Sequence, residues 1–435
     1  MVQQKSNTHS VLIKGGQVID PASRVNGPMD VLLRDGRVAE VAPPNKIQGA
    51  DEVFDARTLI VAPGFIDLHA HLREPGQSYK ETIASGTAAA AAGGFTSVCC
   101  MPNTSPVVDS PDWVTWLRQP QRGALVNVFP VAAATQASKG AVLTDFRGLQ
   151  RAGAVAVSDD GRPILNETTM REALRLGAEI SLPVIQHAED TRMTENCSMN
   201  ESPTSFRFGL RGMKPQAEAS IVDRDVQLAQ QFTGTRYHVA HLSTAEALKA
   251  VRRGKRGKSR VTCEITPHHF TLVDADVQDY NTNFKMNPPL RSVEDREALL
   301  VALADGTVDA IATDHAPHAV HEKMVEFEKA AFGVVGLETA LGLAITGLHR
   351  EHRIPLTRIV ELFSAGPARV VDLPGRGALV RGSYADVTIF DPKKHWTFDA
   401  TKSRSKSHNT PFDGWSLTGK VVATIVGGKF VYRRD

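Results

Sequence analysis

Thr58-Leu59-Ile60-Val61-Ala62-Pro63-Gly64-Phe65-Ile66, running into Asp67-Leu68-His69-Ala70-His71-Leu72-Arg73-Glu74-Pro75-Gly76, is the stretch that decides the fold. Its first part is apolar and rich in branched side chains, which reads as one buried strand. His69 and His71 follow at i and i+2, so both imidazoles point to one side of the strand end. Two neutral imidazoles placed like that can hold one metal ion, although ordinary hydrogen bonds satisfy such a pair as well. Arg73 lies two residues further on, with a planar cation suited to a carboxylate.

Outward from this stretch the same texture repeats. Short apolar runs at 96–101, 126–131, 154–158, 183–187, 237–241, 261–265 and 310–314 read as strands. Helical patterns fall between them, for example at 168–177, 244–253, 293–305 and 356–364. Strands alternating with helices imply a parallel sheet. About eight repeats over roughly 250–320 residues fit a closed (β/α)8 barrel of the TIM type. An open doubly wound sheet would call for GxGxxG after the first strand, and that motif is missing there. The two ends of the chain differ from the middle. Residues 11–54 hold short strand-like pieces, with Gly15-Gly16 and Asp35-Gly36 read as hairpin turns. Residues 385–390 and 420–426, the latter followed by Gly427-Gly428, look alike. The expected organisation is a small β-sandwich domain made of 1–55 and 376–435, bracketing a catalytic barrel of 56–375.

The composition excludes several classes. The chain has 435 residues, 42% hydrophobic and 23% charged, with a net charge of +2. That balance gives no reason to expect nucleic acid or an acidic membrane as partner. The start, 1–10, is polar and lacks the apolar core of a secretory signal. No window approaches the ~18 apolar residues of a membrane span. Four cysteines, Cys99, Cys100, Cys197 and Cys263, form no CxxC pair and read as free thiols in a reducing cytoplasm. The basic run 252–260 reads as a solvated loop, and 402–408 as a loop at the barrel edge.

Chemistry-capable residues fall at the C-terminal ends of the expected strands, where barrel active sites are built. His69 and His71 end the first strand, and Asn103 follows the second. Asp159 and Asp160 follow 154–158. His187 ends 183–187, and His241 ends 237–241. Asp314 ends 310–314, with His315 and His318 just after it. An Asp after a strand is often only a helix cap, and a single His is usually hydrogen-bonded. The joint pattern points instead to a metal hydrolase. Nitrogen and oxygen donors without thiolate suit zinc or a related divalent ion. Two close ions need a bridging carboxylate, and such a pair lowers the pKa of water and polarises a carbonyl. Asp314 could bind a metal and also carry a proton to a leaving nitrogen. His268 and His269 read as structural, and His238 as facing the outer layer of the barrel.

These motifs, together with Met101-Pro102-Asn103-Thr104, Ser158-Asp159-Asp160-Gly161, His187-Ala188-Glu189-Asp190, Ala240-His241-Leu242-Ser243, Thr266-Pro267-His268-His269, Asn287-Pro288-Pro289-Leu290-Arg291, Thr313-Asp314-His315-Ala316-Pro317-His318, 332–339 and Asn409-Thr410-Pro411-Phe412, resemble dihydroorotase of the long bacterial type, in the amidohydrolase superfamily. The resemblance spans nearly the whole chain. It implies two zinc ions, one held by His69, His71 and Asp314, the other by His187 and His241, with Asp160 bridging. Hydantoinase relatives use a carbamylated lysine as the bridge, and the strand ending near Ser158 offers none. The resemblance also implies that Arg73, Asn103 and His318 hold a substrate carboxylate, with His71 beside them. Asn287 and the backbone at Phe332 and Gly333 would contact a pyrimidine ring. The implied reaction is the reversible, zinc-dependent closure of N-carbamoyl-L-aspartate to (S)-dihydroorotate in pyrimidine synthesis, with Asp314 as proton carrier. Two rivals stay open: another cyclic amidohydrolase, such as an allantoinase or dihydropyrimidinase, and a non-catalytic partner of aspartate carbamoyltransferase. A complex with that enzyme and a homodimer are also left open.

Overall fold

The computed structural model describes residues 9–434. The polar residues 1–8, part of the start that was read as lacking a signal, lie outside the described residues. Eight strands, Phe65–Ala70, Phe95–Cys100, Asn127–Ala132, Ala156–Val157, Val184–Gln186, Arg236–Val239, Arg260–Ile265 and Ala310–Ile311, lie side by side in chain order. Every pairing between neighbours is parallel. Helices such as Ile83–Ala92, Glu167–Ile180, Gln216–Ala229 and Val293–Asp305 fall between successive strands. The last strand returns to the first through a parallel bridge between Ala70 and His315. There, Asp67 Oδ1 accepts the Thr313 N–H at 2.9 Å, and His71 N–H donates to the His315 carbonyl at 2.9 Å. The architecture is the (β/α)8 barrel that the alternation implies.

Strand alternation separates two cores. Ile66, Leu68, Cys99, Val131, Ala156, Ile185 and Ala310 fill the barrel interior. Phe65, Phe95, Val98, Val184, Tyr237 and Val239 pack outward under the helices. The first strand departs from strict alternation. Asp67 pairs with Val98 and Ala70 with Cys100, so one residue is extra on that strand. Such a bulge re-aims side chains: Leu68 stays in the interior core, and His69, the next residue, also reaches inward.

The two ends of the chain join in a second, eight-stranded sheet. It holds Ser10–Asp20, Val25–Arg34, Arg37–Ala42, Glu52–Asp55, Ile60–Pro63, Val387–Thr397, Ser416–Val426 and Lys429–Arg433. Ile60–Pro63 is its centre, parallel to Gln17-Val18 on one side and antiparallel to Val387–Phe390 on the other. Val31 and Leu33 from one flank share a core with Ala423 and Ile425 from the other. The sheet therefore curls around its own interior.

Three local expectations are corrected. The stretch 58–66 is not one strand: it breaks at Gly64, sending Ile60–Pro63 to the terminal sheet and Phe65–Ala70 to the barrel. A Cβ on Gly64 would lie 2.2 Å from Thr96 Oγ1, so only glycine lets the two sheets meet there. Gly15-Gly16 is not a hairpin turn. Ser10–Asp20 runs through it as one strand, with a register shift between Ile13 and Gly16. His238 does not face the outer layer. Tyr237 and Val239 do, and His238 pairs in register with interior Ile185 and with Thr262. Among the described residues no helix is long and apolar enough to cross a membrane.

Phe65 ties the barrel to the terminal sheet. Its ring is fully buried, with centroids 5.1 Å from Phe363, 6.2 Å from Phe95 and 6.1 Å from Phe390 of the terminal sheet. Phe65→Ala is expected to destabilise the fold by about 3–5 kcal/mol in denaturant unfolding. A loss under about 1 kcal/mol would show that this junction relaxes freely.

Candidate metal centre and cleft

Six side chains from five strand ends converge at the mouth of the barrel. Donor atoms of His69, His71 and Asp160 all lie within 4.8 Å of one another, as do those of Asp160, His187 and His241. Asp160 belongs to both groups. Its Oδ1 lies 3.4 Å from His69 Nε2, 3.8 Å from His187 Nδ1 and 3.7 Å from His241 Nε2. Its Oδ2 is 3.7 Å from His71 Nε2. Asp314 Oδ1 completes the first group, 3.0 Å from His71 Nε2 and 3.6 Å from His69 Nε2. Neighbouring Asp159 turns away and accepts from the Thr135 N–H at 2.9 Å and from its hydroxyl.

The donor set suits a divalent cation. His69 Nε2 and Asp160 Oδ1, which face each other at 3.4 Å, are buried without a hydrogen-bond partner, which is costly unless another ligand is bound. His187 Nδ1 and His241 Nε2 face each other at 3.0 Å. The charges point the same way. Burial opposes the ionised form of Asp160 and Asp314, yet the imidazoles beside them, His69 above all, hold both carboxyls well below the usual range. Burial pushes His71 down, toward the neutral ligand form. Burial also works against a charged His69, but the Asp160 and Asp314 carboxylates pull it up strongly, so the centre demands positive charge.

A second layer of side chains orients the first. His69 Nδ1 meets Glu264 Oε1 at 2.9 Å, and Glu264 Oε2 meets His238 Nε2 at 3.2 Å inside the barrel. Glu189 Oε2 lies 2.8 Å from His187 Nε2 and accepts from Asn287 Nδ2 at 2.8 Å. Burial works against both carboxylates. Hydrogen bonds from His238 and His69 to Glu264, and from His187 to Glu189, nevertheless hold each down to about 2. Such partners fix ligand tautomer and aim. The sequence reading gave neither glutamate a role. A carboxylate between the apolar residues Cys263 and Ile265 of the strand Arg260–Ile265 was the signal for Glu264.

The centre opens into a cleft of about 220 Å³ lined by His71, Arg73, Asn103, Asn287, His318, Phe332 and Gly333, with Asp160, His187, His241 and Asp314 at its floor. His69 lies behind, fully buried. Arg73 is 7% exposed, takes a left-handed backbone with φ 61°, and donates Nε–H to the Pro317 carbonyl at 3.0 Å. Its Nη2 is 3.3 Å from His318 Nε2. That nitrogen of His318 donates to the Phe332 carbonyl at 2.8 Å. Burial and the Arg73 charge push His318 down to about 3, so it is neutral. Asn103 has both amide ends engaged, Oδ1 with His71 Nδ1 at 2.8 Å and Nδ2 with Asp160 Oδ2 at 3.0 Å. It aims His71 and Asp160 as well as lining the cleft. His269 is satisfied by Thr266 and the Pro288 carbonyl, as its structural reading has it.

A family model described as dihydro-orotase-like matches residues 58–247. A dihydroorotase of Solibacter usitatus (strain Ellin6076) is 50% identical over 426 residues, covering 98% of this chain and 98% of that one. A dihydroorotase of Anaeromyxobacter dehalogenans (strain 2CP-1 / ATCC BAA-258) is 50% identical over 429 residues, again covering 98% of each. The chain belongs to the dihydroorotase family. With the family goes its enzyme class, a hydrolase acting on the C–N bond of a cyclic amide. Among solved structures, the L-hydantoinase (dihydropyrimidinase) of Arthrobacter aurescens superposes with a TM-score of 0.86 at 24% identity, covering 97% of this chain and 96% of that one. At that identity the likeness extends to the barrel fold that dihydroorotases share with hydantoinases.

Glu264→Gln keeps the shape but removes the charge that His69 and His238 share. It is expected to weaken metal affinity about 10–100-fold, read by competition with a chromogenic chelator. Unchanged affinity in a folded variant would show that Glu264 only fills the barrel.

Proposed function

We propose that this chain interconverts (S)-dihydroorotate plus water and N-carbamoyl-L-aspartate, using two zinc ions. His69, His71 and Asp314 would hold one ion, and His187 and His241 the other, with Asp160 between them. Bound there, the ions would supply Lewis acidity and lower the pKa of water. The chain's own groups do the rest. Arg73 anchors the substrate carboxylate, its guanidinium already steadied by the Pro317 carbonyl. Neutral His318 lies beside it. Asn287 and the backbone of Phe332-Gly333 flank the ring across the same cleft.

In the hydrolytic direction water adds to the ring carbonyl carbon. The Asp314 carboxylate takes the water's proton and delivers it to the ring nitrogen as the C–N bond breaks. Because Asp314 is held ionised, it is ready as a base in the resting enzyme. In the synthetic direction it accepts the ureido proton as that nitrogen attacks the side-chain carboxyl carbon, then returns the proton to the carboxyl oxygen, whose C–O bond breaks to release water.

The observation that carries this reading is Arg73. A buried cation shares one cleft with the metal-facing groups, as a carboxylate-bearing ring requires. The hydantoinase-like alternative has less support. No lysine lines the cleft among the described residues, so a carbamylated bridge has no candidate. The non-catalytic alternative suffers because all six ligand positions are filled.

Asp314→Asn is expected to lower kcat for dihydroorotate by at least about 100-fold even when assayed at saturating zinc, and to weaken metal affinity as well. Arg73→Ala is expected to act mainly on KM, raising it about tenfold or more. Both are read in a spectrophotometric assay run beside hydantoin and allantoin. Full turnover by Asp314→Asn, or preferred turnover of hydantoin by the parent, would contradict the proposal.

A further inference from the structure

After His318 the chain leaves the barrel mouth, forms one short helix, Val320–Lys323, and returns to the cleft at Phe332-Gly333. Two buried lysines brace this excursion, Lys323 from within it at 5% exposure and Lys285 from an earlier segment at 1%. Among the described residues neither reaches a carboxylate oxygen as an ion pair. Their partners are main-chain carbonyls. Lys323 Nζ donates to Ala331 O at 2.8 Å, Gly333 O at 3.1 Å and Lys285 O at 3.2 Å, which engages all three of its protons. Lys285 Nζ donates to Phe327 O at 2.7 Å and Glu328 O at 2.8 Å. It also lies 4.3 Å from the centre of the Phe332 ring.

Burying an ammonium without a counterion is costly. That cost shows in the lysines themselves: burial pushes Lys323 down to about 7 and Lys285 down to about 8. A methionine would fill the same space without it. What an ammonium adds is a fixed distance to several carbonyls at once. Four of those five carbonyls, at Phe327, Glu328, Ala331 and Gly333, belong to the segment that forms one wall of the cleft. The Gly333 N–H closes the arrangement by donating to Lys285 O at 2.9 Å, and Asn409 Nδ2 donates to Gly333 O at 3.0 Å. Gly333 has φ 138°, and a Cβ there would lie 2.6 Å from the Ala316 Cβ. On its cleft side the same segment offers Phe332 O to His318.

We infer that Lys323 and Lys285 are positioning residues for substrate binding: their bonds to main-chain carbonyls set the Phe332-Gly333 wall at the distance the ring needs. This rests on the proposed role of that wall in flanking the ring. Loss of either ammonium lets the wall drift and weakens ground-state binding, while the metal centre and Asp314 keep their geometry.

The test uses the metal-loaded chain and the variants Lys323→Met and Lys285→Met, with dihydroorotate as substrate. The expected result is a KM raised about tenfold or more, with kcat within about threefold of the parent and metal content unchanged. Unchanged KM in both variants, or a fall in kcat alone, overturns the inference. If neither variant folds by circular dichroism, the lysines are supports of the fold and the inference is also overturned. A parent that leaves dihydroorotate untouched would overturn the proposed function and this role together. An active parent with indifferent variants overturns this role alone.

Discussion

Asp67 fastens the first barrel strand to the last, and the centre depends on that closure. Three donors aim at its fully buried carboxyl: the Thr313 N–H, the Thr313 hydroxyl and the His69 N–H. Burial still pushes this group up to about 7, so the closure is an unusual use of an acidic residue rather than a surface ion pair. Its effect is positional. His71 and Asp314 are 243 residues apart in sequence and meet at 3.0 Å because the barrel closes there. The bulge in the same strand brings His69 inward beside Leu68, so one strand end supplies two imidazoles and Arg73.

Charge explains why the mouth is built in layers. Asp160, Asp314, Glu189 and Glu264 are all held ionised despite burial. Arg73 and the imidazoles offset only part of that charge. Buried carboxylates in this number call for cations. The outer ring of partners then serves geometry. Glu264 aims His69, Glu189 aims His187, and Asn103 spans His71 and Asp160. Rigid support of this kind is what keeps catalytic groups within productive reach of one another.

Much of this was legible in the sequence because barrels place their chemistry at strand ends. His69, His71, His187, His241 and Asp314 stood out as polar residues closing apolar runs, and Asp160 as a carboxylate just beyond one. Their neighbours were harder. Glu264 and His238 are interior residues, and alternation only identifies them once the strand register is known. The reading of 58–66 as one strand failed because apolar periodicity cannot see a change of sheet. Only the approach of Thr96 to Gly64 reveals it. Gly15-Gly16 failed for a similar reason: paired glycines mark close approach as readily as a turn. Lys285 and Lys323 gave no signal, since sequence does not tell a buried lysine from a solvated one.

The central claim is that Asp160 stands between two ions. Anomalous diffraction at the zinc edge, from crystals grown with zinc, tests it most directly. The account predicts two peaks, one among His69, His71 and Asp314 and one between His187 and His241, each within ligand distance of an Asp160 oxygen. A single peak, or peaks that leave Asp160 unbound, would contradict it.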